Sequence, residues 1–296
     1  PKRAGGWLIP QGQDRVKERD PAIHKATSRD VDEIMFVAPD FAKSAKPDAE
    51  VALGALIDRT KFDQQLVKLA KKEGVDFLDG QRVVAIRPDE AHVTVDLEAD
   101  EPLTASLLLL ATGLSRDLLS GLSMRLPNEQ PDALTAHVTT RRKSKGKPNR
   151  LTVVFNALPH TGSCIAIETD DSVSLTLHAR GPKTDVVRRL IEVARGLHDA
   201  GHLDTDLTQA AASPVCLPGV PFNALDADSH VGKRSLIIGD AGGFNATISR
   251  EGIYPAMWSA KIAAEIIAEI KSGEHVQDGL MAFGNGWRLA MADFLR

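Results

Sequence analysis

One segment near the C-terminal end combines an apolar strand, a glycine-containing turn and a long helix. Residues 235–238 form a mostly apolar run, Gly239 and Asp240 follow it, and an Ala- and Ile-rich stretch covers residues 253–270. Such a strand delivers an acid at its carboxyl end, glycines let a ligand approach the backbone, and the helix start offers free N–H groups. Because ligands of open α/β sheets bind at strand ends of this kind, the segment predicts a ligand site.

Composition excludes several classes of protein. The 296 residues are 43% hydrophobic and 26% charged with a net charge of −4, so a globular protein is predicted and nucleic acid is not a predicted partner. Cys164 and Cys216 form no metal-ligand spacing and fit a reducing, cytoplasmic compartment. No run approaches the roughly 18 apolar residues of a spanning helix, so only peripheral membrane contact stays open.

The first 130 residues have the texture of an α/β protein. Residues 34–38 and 50–57 predict a hairpin, and residues 59–73 predict an amphipathic helix that Gly74 ends. The apolar segment 75–78 predicts a strand, and residues 105–111 predict a strand buried on both faces.

The middle of the chain has a different texture. Four short apolar runs between residues 134 and 179 are spaced like an antiparallel sheet. Strand and helix patterns of the α/β kind lie on both sides, so we expect a discontinuous Rossmann-like domain with an inserted, antiparallel substrate domain. The predicted boundaries are 1–30, 59–130 and 223–296 for the first domain and 31–58 and 131–222 for the second.

Three segments resemble one family of flavoproteins. Gly239-Asp-Ala-Gly-Gly-Phe244, followed by Arg250-Glu-Gly-Ile-Tyr-Pro255 and a small-residue helix, resembles the ribityl-binding segment of FAD-dependent oxidoreductases with the aromatic-hydroxylase type of fold. Within that group the chain is most similar to the geranylgeranyl reductase family. Arg59-Thr-Lys-Phe-Asp63 and Leu107-Leu-Leu-Leu-Ala-Thr-Gly113 support the resemblance, which covers roughly residues 1–126 and 214–296.

The resemblance implies FAD as cofactor, with NAD(P)H as a possible electron donor. Asp240 would bind the ribityl or ribose hydroxyls, and Gly239 and Ala241 would lie along the pyrophosphate and ribityl chain. Gly252 and Ile253 would place backbone N–H groups near the pyrimidine side of the flavin.

Four further residues receive roles from the resemblance. Arg59 would lie near the phosphate and ribityl region, with a surface arginine as the alternative. Val83 would contact the adenine through its backbone, with a core valine as the alternative. Thr112 and Gly113 would turn the chain beside the pyrophosphate.

The chain also departs from the family pattern. It has no GxGxxG motif and no acidic residue after a second strand, so we expect a domain that lacks its first βαβ unit because the chain is truncated at its N-terminus. Ala4 stands where the reductases have cysteine, so chemistry credited to that thiol is in doubt. Arg250 replaces a glycine; it either binds an anionic substrate, stabilises the reduced ring, or points to solvent.

Other candidates are weaker. The stretch 141–150 has six cations in ten residues, and it is either a site for anionic headgroups or nicotinamide phosphate, or a solvated loop. His198 and His202 have i,i+4 spacing, but Gly201 lies between them, so no metal site is predicted. Ser163 and Ser259 lack the pattern of a nucleophile elbow.

Hydride transfer between FAD and an organic, apolar or polyprenyl-like substrate is the predicted activity. No catalytic side chain is assigned, because a flavin carries this chemistry itself. A class A flavin monooxygenase of the hydroxylase or halogenase type is one alternative, and a non-catalytic binding homologue is another. Residues 1–296 alone are expected to hold FAD weakly or not at all and to be inactive.

Overall fold

Four sheets and seven α-helices are formed by the part of the chain that the computed structural model describes. That part comprises residues 6–48, 51–115, 117–122, 124, 126–127, 133–142, 149–155, 161–220, 222–247, 249–270 and 275–296. In chain order the strands are β1 (Gly6–Leu8), β2 (Ser28–Asp30), β3 (Glu33–Val37), β4 (Ser44–Ala45), β5 (Ala55–Ile57), β6 (Val83–Pro88), β7 (Val93–Leu97), β8 (Leu103–Ala105), β9 (Leu108–Leu110), β10 (Ala133–Arg141), β11 (Arg150–Phe155), β12 (Thr161–Glu168), β13 (Ser172–Arg180), β14 (Val215–Pro218), β15 (Val231–Gly232) and β16 (Ser235–Ile237). The helices are α1 (Pro10–Arg19), α2 (Pro21–Thr27), α3 (Arg59–Lys72), α4 (Lys183–Asp199), α5 (Thr208–Ala211), α6 (Ile253–Glu269) and α7 (Val276–Leu295). Among these helices none is long and apolar enough to cross a bilayer.

The chain divides into two units, each with its own core. The first unit comprises Pro1–Val75, Pro131–Gly219 and Ile248–Arg250, and the second comprises Asp76–Gln130, Val220–Thr247 and Glu251–Arg296. The predicted mixed α/β fold class is confirmed. The predicted domain boundaries differ from this division, because residues 1–30 and 59–75 belong to the first unit rather than to the unit that holds Asp240. The assignment of these segments to a cofactor domain and a substrate domain stays a prediction.

A seven-stranded sheet dominates the first unit, in the order β14-β10-β13-β12-β11-β3-β4. Strands β10 and β13, β13 and β12, and β12 and β11 pair antiparallel, as the apolar runs between residues 134 and 179 predict. Strand β3 pairs parallel with β11. Helix α4 packs on the sheet in a core that includes Leu175, Leu177, Val186, Leu190 and Leu197. The predicted antiparallel sheet is therefore confirmed.

The predicted hairpin of residues 34–38 and 50–57 is wrong. Strand β3 lies between β11 and β4, whereas β5 lies between β1 and β2 in another sheet. Gly54 precedes β5 with a φ of +79°, and a Cβ built on it would lie only 2.3 Å from the Leu8 carbonyl oxygen. The glycine thus permits the close approach of two distant segments, and the local strand pattern carries no sign of that approach.

The apolar segments 75–78 and 105–111 also differ from their predictions. Residues 75–78 form no strand, and Val75, Phe77 and Leu78 are exposed. In the second segment β9 covers only Leu108–Leu110, and Leu109 is 40% exposed rather than buried on both faces. A continuous apolar strand is buried on both faces only where other elements pack on both faces. Among the described residues, too few elements pack on β9 to bury Leu109.

Two parallel strands, β9 and β16, organise the second unit. Leu110 is level with Ile237, and β15 pairs antiparallel with the other edge of β16. Strand β9 is therefore an edge of this sheet among the described residues. Strands β6, β7 and β8 form a separate antiparallel meander. Helices α6 and α7 pack together in a core that includes Leu236, Phe244, Ala263, Phe283 and Trp287.

A buried ion cluster of the first unit links strands β11 and β12 to Arg142, which directly follows β10. Glu168 on β12 is fully buried; it accepts a hydrogen bond from Arg142 at 3.4 Å and forms an ion pair with Arg150 at 2.5 Å. Burial raises the pKa of Glu168, and the charge of Arg150 opposes that shift. Both arginines belong to the cationic stretch 141–150, so the structure uses them internally, while residues 143–148 lie outside the described residues.

We expect Glu168→Ala to lower the free energy of unfolding by about 3–5 kcal/mol, because it leaves two arginines without their shared carboxylate. Urea unfolding measures the loss. Glu192→Ala, which removes an exposed ion pair with Arg188, is the control and should change stability by less than about 1 kcal/mol. Equal losses in the two variants would contradict a structural role for the cluster.

Candidate functional site

The carboxyl ends of β9 and β16 meet at one edge of their sheet. The Ile238 N–H donates to the Leu110 carbonyl at 3.0 Å, so the parallel register continues to the ends of both strands. Thr112 and Gly113 follow β9 closely, and Gly239 begins a short 3-10 turn after β16. Two of the predicted cofactor segments therefore lie side by side, as parallel strand ends require.

Gly239 is held against helix α6. Its backbone has a φ of +60°, and a Cβ built on it would lie 3.5 Å from the Ala256 side chain. The N–H of Gly239 donates to the Ser259 hydroxyl at 3.1 Å, and that hydroxyl donates to the Ala256 carbonyl at 3.0 Å. Ser259 is fully buried and its hydroxyl joins the turn to the helix, which is a structural role. The Gly239 N–H is consequently committed inside the protein.

Asp240 lies beside the start of helix α6. A Cβ built on Gly252 would lie 3.1 Å from Asp240 Oδ1, so the carboxylate occupies space next to this glycine. Asp240 is half-buried, and its neighbour Ala241 is buried. The Gly252 N–H donates no hydrogen bond within the described residues. The structure therefore brings together an acceptor and a free donor at one helix terminus.

Glu251 caps helix α6. The sequence predicted the helix but not this cap. Its Oε1 accepts hydrogen bonds from the N–H groups of Ile253 and Tyr254, both at 3.0 Å, and the residue is buried. A carboxylate is favoured there because the helix N-terminus is positive. The available signal was an acid directly before the helix start. The predicted flavin contact of the Ile253 N–H requires this donor to be shared with Glu251 or released by it.

His230 holds the glycine turn through a hydrogen bond, a role that the sequence did not predict. Its Nε2 donates to the Gly242 carbonyl at 2.7 Å, which assigns the proton to Nε2, and its ring packs 4.7 Å from Phe244 and 5.0 Å from Trp287. Burial lowers the pKa of His230 to about 4, and the charge of Arg288 adds to the shift. A neutral, buried imidazole thus fixes the turn. Nothing local in the sequence marks this histidine.

The remaining predicted residues of the second unit also have local partners. The Thr112 hydroxyl donates to the Ser115 carbonyl at 2.9 Å, and Gly113 has a φ of +66° with open space where a Cβ would lie. Val83 on β6 packs on the cluster that contains Ile237 and Ala241. Gly113 therefore serves the turn conformation, and the predicted contact of Val83 with adenine stays a prediction.

Arg59 lies in the first unit at the start of helix α3. Its guanidinium donates twice to the Asp63 carboxylate, with both distances 3.2 Å, and the side chain is 18% exposed. The Arg-x-x-Phe-Asp motif therefore contains its own ion pair, and Phe62 within it is buried. The predicted contact of Arg59 with cofactor phosphate would have to compete with this pair.

Arg250 has a backbone conformation that favours glycine. Its φ is +56°, in the left-handed region that favours glycine, the residue that the resemblance places at this position. Burial lowers the pKa of its guanidinium, and the charge of Arg180 lowers it further. Its Nε is buried without a hydrogen-bond partner.

The other weak candidates have ordinary surroundings. His202 hydrogen-bonds to the Phe41 carbonyl at 2.8 Å, and His198 lies 3.7 Å from the Asp199 carboxylate. Ser163 is fully buried. Burial raises the pKa of the Cys164 thiol, which makes it a poor nucleophile. In the described part of the chain no group of three possible ligands could hold a metal ion.

Solved flavoenzymes and related proteins share this fold. A geranylgeranyl bacteriochlorophyll reductase-like protein from Thermoplasma acidophilum superposes with a TM-score of 0.76 at 16% identity, covering 99% of this chain and 74% of that one. For 2-methyl-3-hydroxypyridine-5-carboxylic acid oxygenase the TM-score is 0.69 at 17% identity, covering 98% and 77%. For a flavin-dependent brominase it is 0.68 at 17% identity, covering 95% and 73%. The resemblance drawn from the sequence is therefore confirmed at the level of the fold.

Sequence comparison adds one relative. An uncharacterized protein of Methanosarcina barkeri (strain Fusaro / DSM 804) is 26% identical over 227 residues, which cover 74% of this chain. The match covers 54% of that protein, so the chain spans about half the length of the curated relative it matches. No protein-family model matches the chain.

We expect Ser259→Ala to lower the free energy of unfolding by about 1–3 kcal/mol, because the buried Gly239 N–H loses its acceptor. Chemical denaturation measures this loss. Ser106→Ala, at an exposed serine of the same unit, is the matched control and should leave stability within about 0.5 kcal/mol of the parent. A loss no larger than that of the control would contradict the role given to this hydrogen bond.

His230 makes stability depend on pH. Its folded pKa of about 4 is below the ordinary 6.5, so only the unfolded state takes up the proton between these values. Stability is therefore full above pH 6.5 and falls by about 3 kcal/mol as the pH drops to 4. His230→Phe should be less stable at neutral pH but should flatten this dependence, as measured by unfolding across pH 4–7. Exposed His92→Gln is the control, and an equally steep pH dependence in His230→Phe would refute the expectation.

Proposed function

We propose that this chain carries the ribityl half of an FAD site in a flavin-dependent oxidoreductase of the reductase type. One observation carries the proposal: the Asp240 carboxylate and the free Gly252 N–H lie together at the carboxyl edge of β9 and β16. The shared fold with a flavin-dependent brominase and a geranylgeranyl bacteriochlorophyll reductase-like protein supports flavin as the ligand.

The residues present fit the ribityl chain and its neighbours. The Asp240 carboxylate is a hydrogen-bond acceptor of the type that sugar hydroxyls use. Gly239 and Ala241 offer little side-chain bulk beside it, and the Gly252 N–H would face the pyrimidine side of the flavin. In this proposal Ile253 contributes its N–H by sharing it with Glu251.

The remaining cofactor contacts in this proposal are those that the sequence resemblance implies. Val83 and the turn of Thr112 and Gly113 would lie towards the adenine and pyrophosphate, and Arg59 would contact phosphate after leaving Asp63. The sequence of 296 residues has no GxGxxG motif, and β9 has one unpaired edge among the described residues. A βαβ unit that pairs with this edge would supply the pyrophosphate site.

Bound flavin supplies hydride transfer to an organic substrate, and the protein supplies position and electrostatics. Asp240 and Gly252 would orient the cofactor. Buried residues that pack against the turn after β16, His230 among them, would keep that orientation fixed. NAD(P)H as electron donor and an apolar, polyprenyl-like substrate are the finer parts of the proposal. They rest on the sequence resemblance.

A flavin monooxygenase is the second candidate. The fold is shared with an oxygenase and a brominase as well as with a reductase-like protein, so the fold favours neither reaction. Rapid oxygen consumption coupled to a hydroxylated or halogenated product would favour the monooxygenase. Slow, uncoupled consumption would favour the reductase.

We expect Asp240→Ala to weaken FAD binding by about 10- to 100-fold, because it removes a charged acceptor of ribityl hydroxyls. Titration of FAD against the protein, followed by flavin fluorescence, measures the dissociation constant. Riboflavin, which keeps the ribityl chain and lacks the pyrophosphate, should show the same relative loss.

Asp293→Ala serves as the control, since Asp293 is an exposed acid of the same unit that pairs with Arg296. It should bind FAD like the parent protein. Unchanged affinity in Asp240→Ala would remove Asp240 from the site. If protein expressed with its native upstream residues bound neither FAD nor riboflavin, the chain would be a non-catalytic homologue and the flavin proposal would fail.

A further inference from the structure

Helix α4 packs on one face of the seven-stranded sheet, and the other face carries a group of polar side chains. The core shared with α4 includes Ala136 and Val138 on β10 and Leu175 and Leu177 on β13. Because successive side chains of a strand point to opposite faces, the residues between them point away from this core. Four of these residues are half-buried and are called the His–Thr patch: Thr135, His137, Thr176 and His178.

Two hydrogen bonds between β10 and β13 organise the His–Thr patch. Thr135 is directly opposite His178, and His137 is directly opposite Thr176. The Thr135 hydroxyl and His178 Nδ1 lie 3.0 Å apart, and His137 Nδ1 and the Thr176 hydroxyl lie 2.9 Å apart. Each threonine thus fixes the imidazole ring of the neighbouring strand, and the two rings lie diagonally across the strand pair.

His137 has a second polar atom that the described residues do not use. Its Nδ1 bonds to Thr176, whereas its Nε2 has no hydrogen-bond partner among the residues that the structure describes. The threonine hydroxyl can donate or accept, so it is compatible with either neutral tautomer of the ring, and Nε2 is the acceptor in one tautomer and the donor in the other. A ligand hydroxyl, which also donates and accepts, matches Nε2 in both tautomers.

The centre of this face carries little charge. Burial lowers the pKa of His137, so its ring is uncharged at neutral pH. Arg141 and Arg180 are the charged residues of this face on β10 and β13, and both lie at strand ends. The rows that contain His137 therefore favour an uncharged group over an ion.

Apolar side chains lie beside the patch in the same rows. On the edge strand β14, Val215 is level with His137 and Leu217 is level with Thr135, and the two are 59% and 50% exposed. On the other side of the patch, Ile165 of β12 is level with the threonine of the His137 row. A few fixed polar atoms among apolar side chains are typical of small-molecule sites. A ligand that covers this surface is therefore apolar apart from one hydrogen-bonding group.

We propose that the His–Thr patch binds the hydroxyl group of an uncharged, otherwise apolar substrate, which is an apolar alcohol or a phenol. His137 Nε2 makes the hydrogen bond to this hydroxyl, Thr176 holds the ring in place, and Val215 and Leu217 cover the apolar part of the molecule. No covalent bond forms or breaks in this step. The inference rests on the proposed function in that it makes the bound molecule the substrate of the flavin enzyme.

The test measures ligand binding by the full chain without flavin. Geraniol represents the alcohols and para-propylphenol the phenols, and both are titrated by calorimetry beside their methyl ethers and beside para-propylbenzoate as the charged counterpart. We expect at least one hydroxyl compound to bind, about tenfold more tightly than its methyl ether and than the benzoate, because only the hydroxyl can donate and accept at Nε2. The tighter of the two hydroxyl compounds shows which class the site takes. Tighter binding of the benzoate than of both hydroxyl compounds would overturn the proposal.

Three variants assign the hydrogen bond to His137. His137→Phe keeps a ring but removes both nitrogens, so it should weaken binding of the hydroxyl compound about tenfold and leave the affinity of the methyl ether nearly unchanged. His137→Gln restores a donor and an acceptor close to the position of Nε2 and should recover most of the lost affinity. His198→Phe is the matched control, because it makes the same change at a partly exposed histidine of helix α4, and it should bind like the parent protein. Equal affinity in the parent and His137→Phe, or no binding of either hydroxyl compound by the parent, would contradict the proposal.

Unfolding midpoints separate recognition from a purely structural role of the patch. We expect the hydroxyl compound to raise the midpoint of the parent and of His198→Phe, and to raise that of His137→Phe much less. If the two hydrogen bonds only join β10 to β13, His137→Phe and Thr176→Val would lower the midpoint and the compound would raise it in no variant, which would overturn the proposal. FAD titration of the same variants is scored separately. Binding of the hydroxyl compound without flavin binding would defeat only the proposed function, and the reverse would defeat only this inference.

Discussion

The hydrogen bond between the Gly239 N–H and the buried Ser259 hydroxyl sets the geometry on which the candidate site depends. It fixes the turn after β16 against the first two turns of helix α6. Through this contact Asp240 lies beside Gly252, and the helix terminus faces the same edge as the ends of β9 and β16. His230 secures the other side of the turn through the Gly242 carbonyl. The half-buried acid therefore belongs to a turn that buried, neutral groups hold on both sides.

The sequence alone predicted the parts of the fold that depend on local pattern. The strand, glycine turn and helix around Gly239 form as expected, because apolar runs, glycines and helix formers each act over a few residues. The antiparallel sheet of β10 to β13 is of the same kind. The prediction of a hairpin before residue 57 is wrong because β5 pairs with β1 and β2 instead of β3. Next to β5, Gly54 lies close to Leu8, which is far from it in sequence. Local patterns identify strands, whereas distant contacts choose their neighbours.

The candidate site shows the same limit. Asp240 and Gly252 were predicted because the motif contains them, but their supports were not. Glu251 was read as part of a motif, although its carboxylate caps two N–H groups of helix α6. His230 lies 12 residues from the carbonyl it holds, and no periodicity marks it. Residues that bind are visible in short patterns, while residues that position them become visible only when the chain is folded.

Strand β9 has an unpaired edge among the residues that the structure describes, and this edge has a consequence for how the chain behaves in solution. A strand edge with free N–H and C=O groups is a template for other strands, and the 40% exposed Leu109 makes this one attractive to apolar partners. Its length of three residues limits how firmly another chain can pair with it. Self-association through this edge would therefore be weak, dependent on concentration, and in competition with any segment that occupies the same edge.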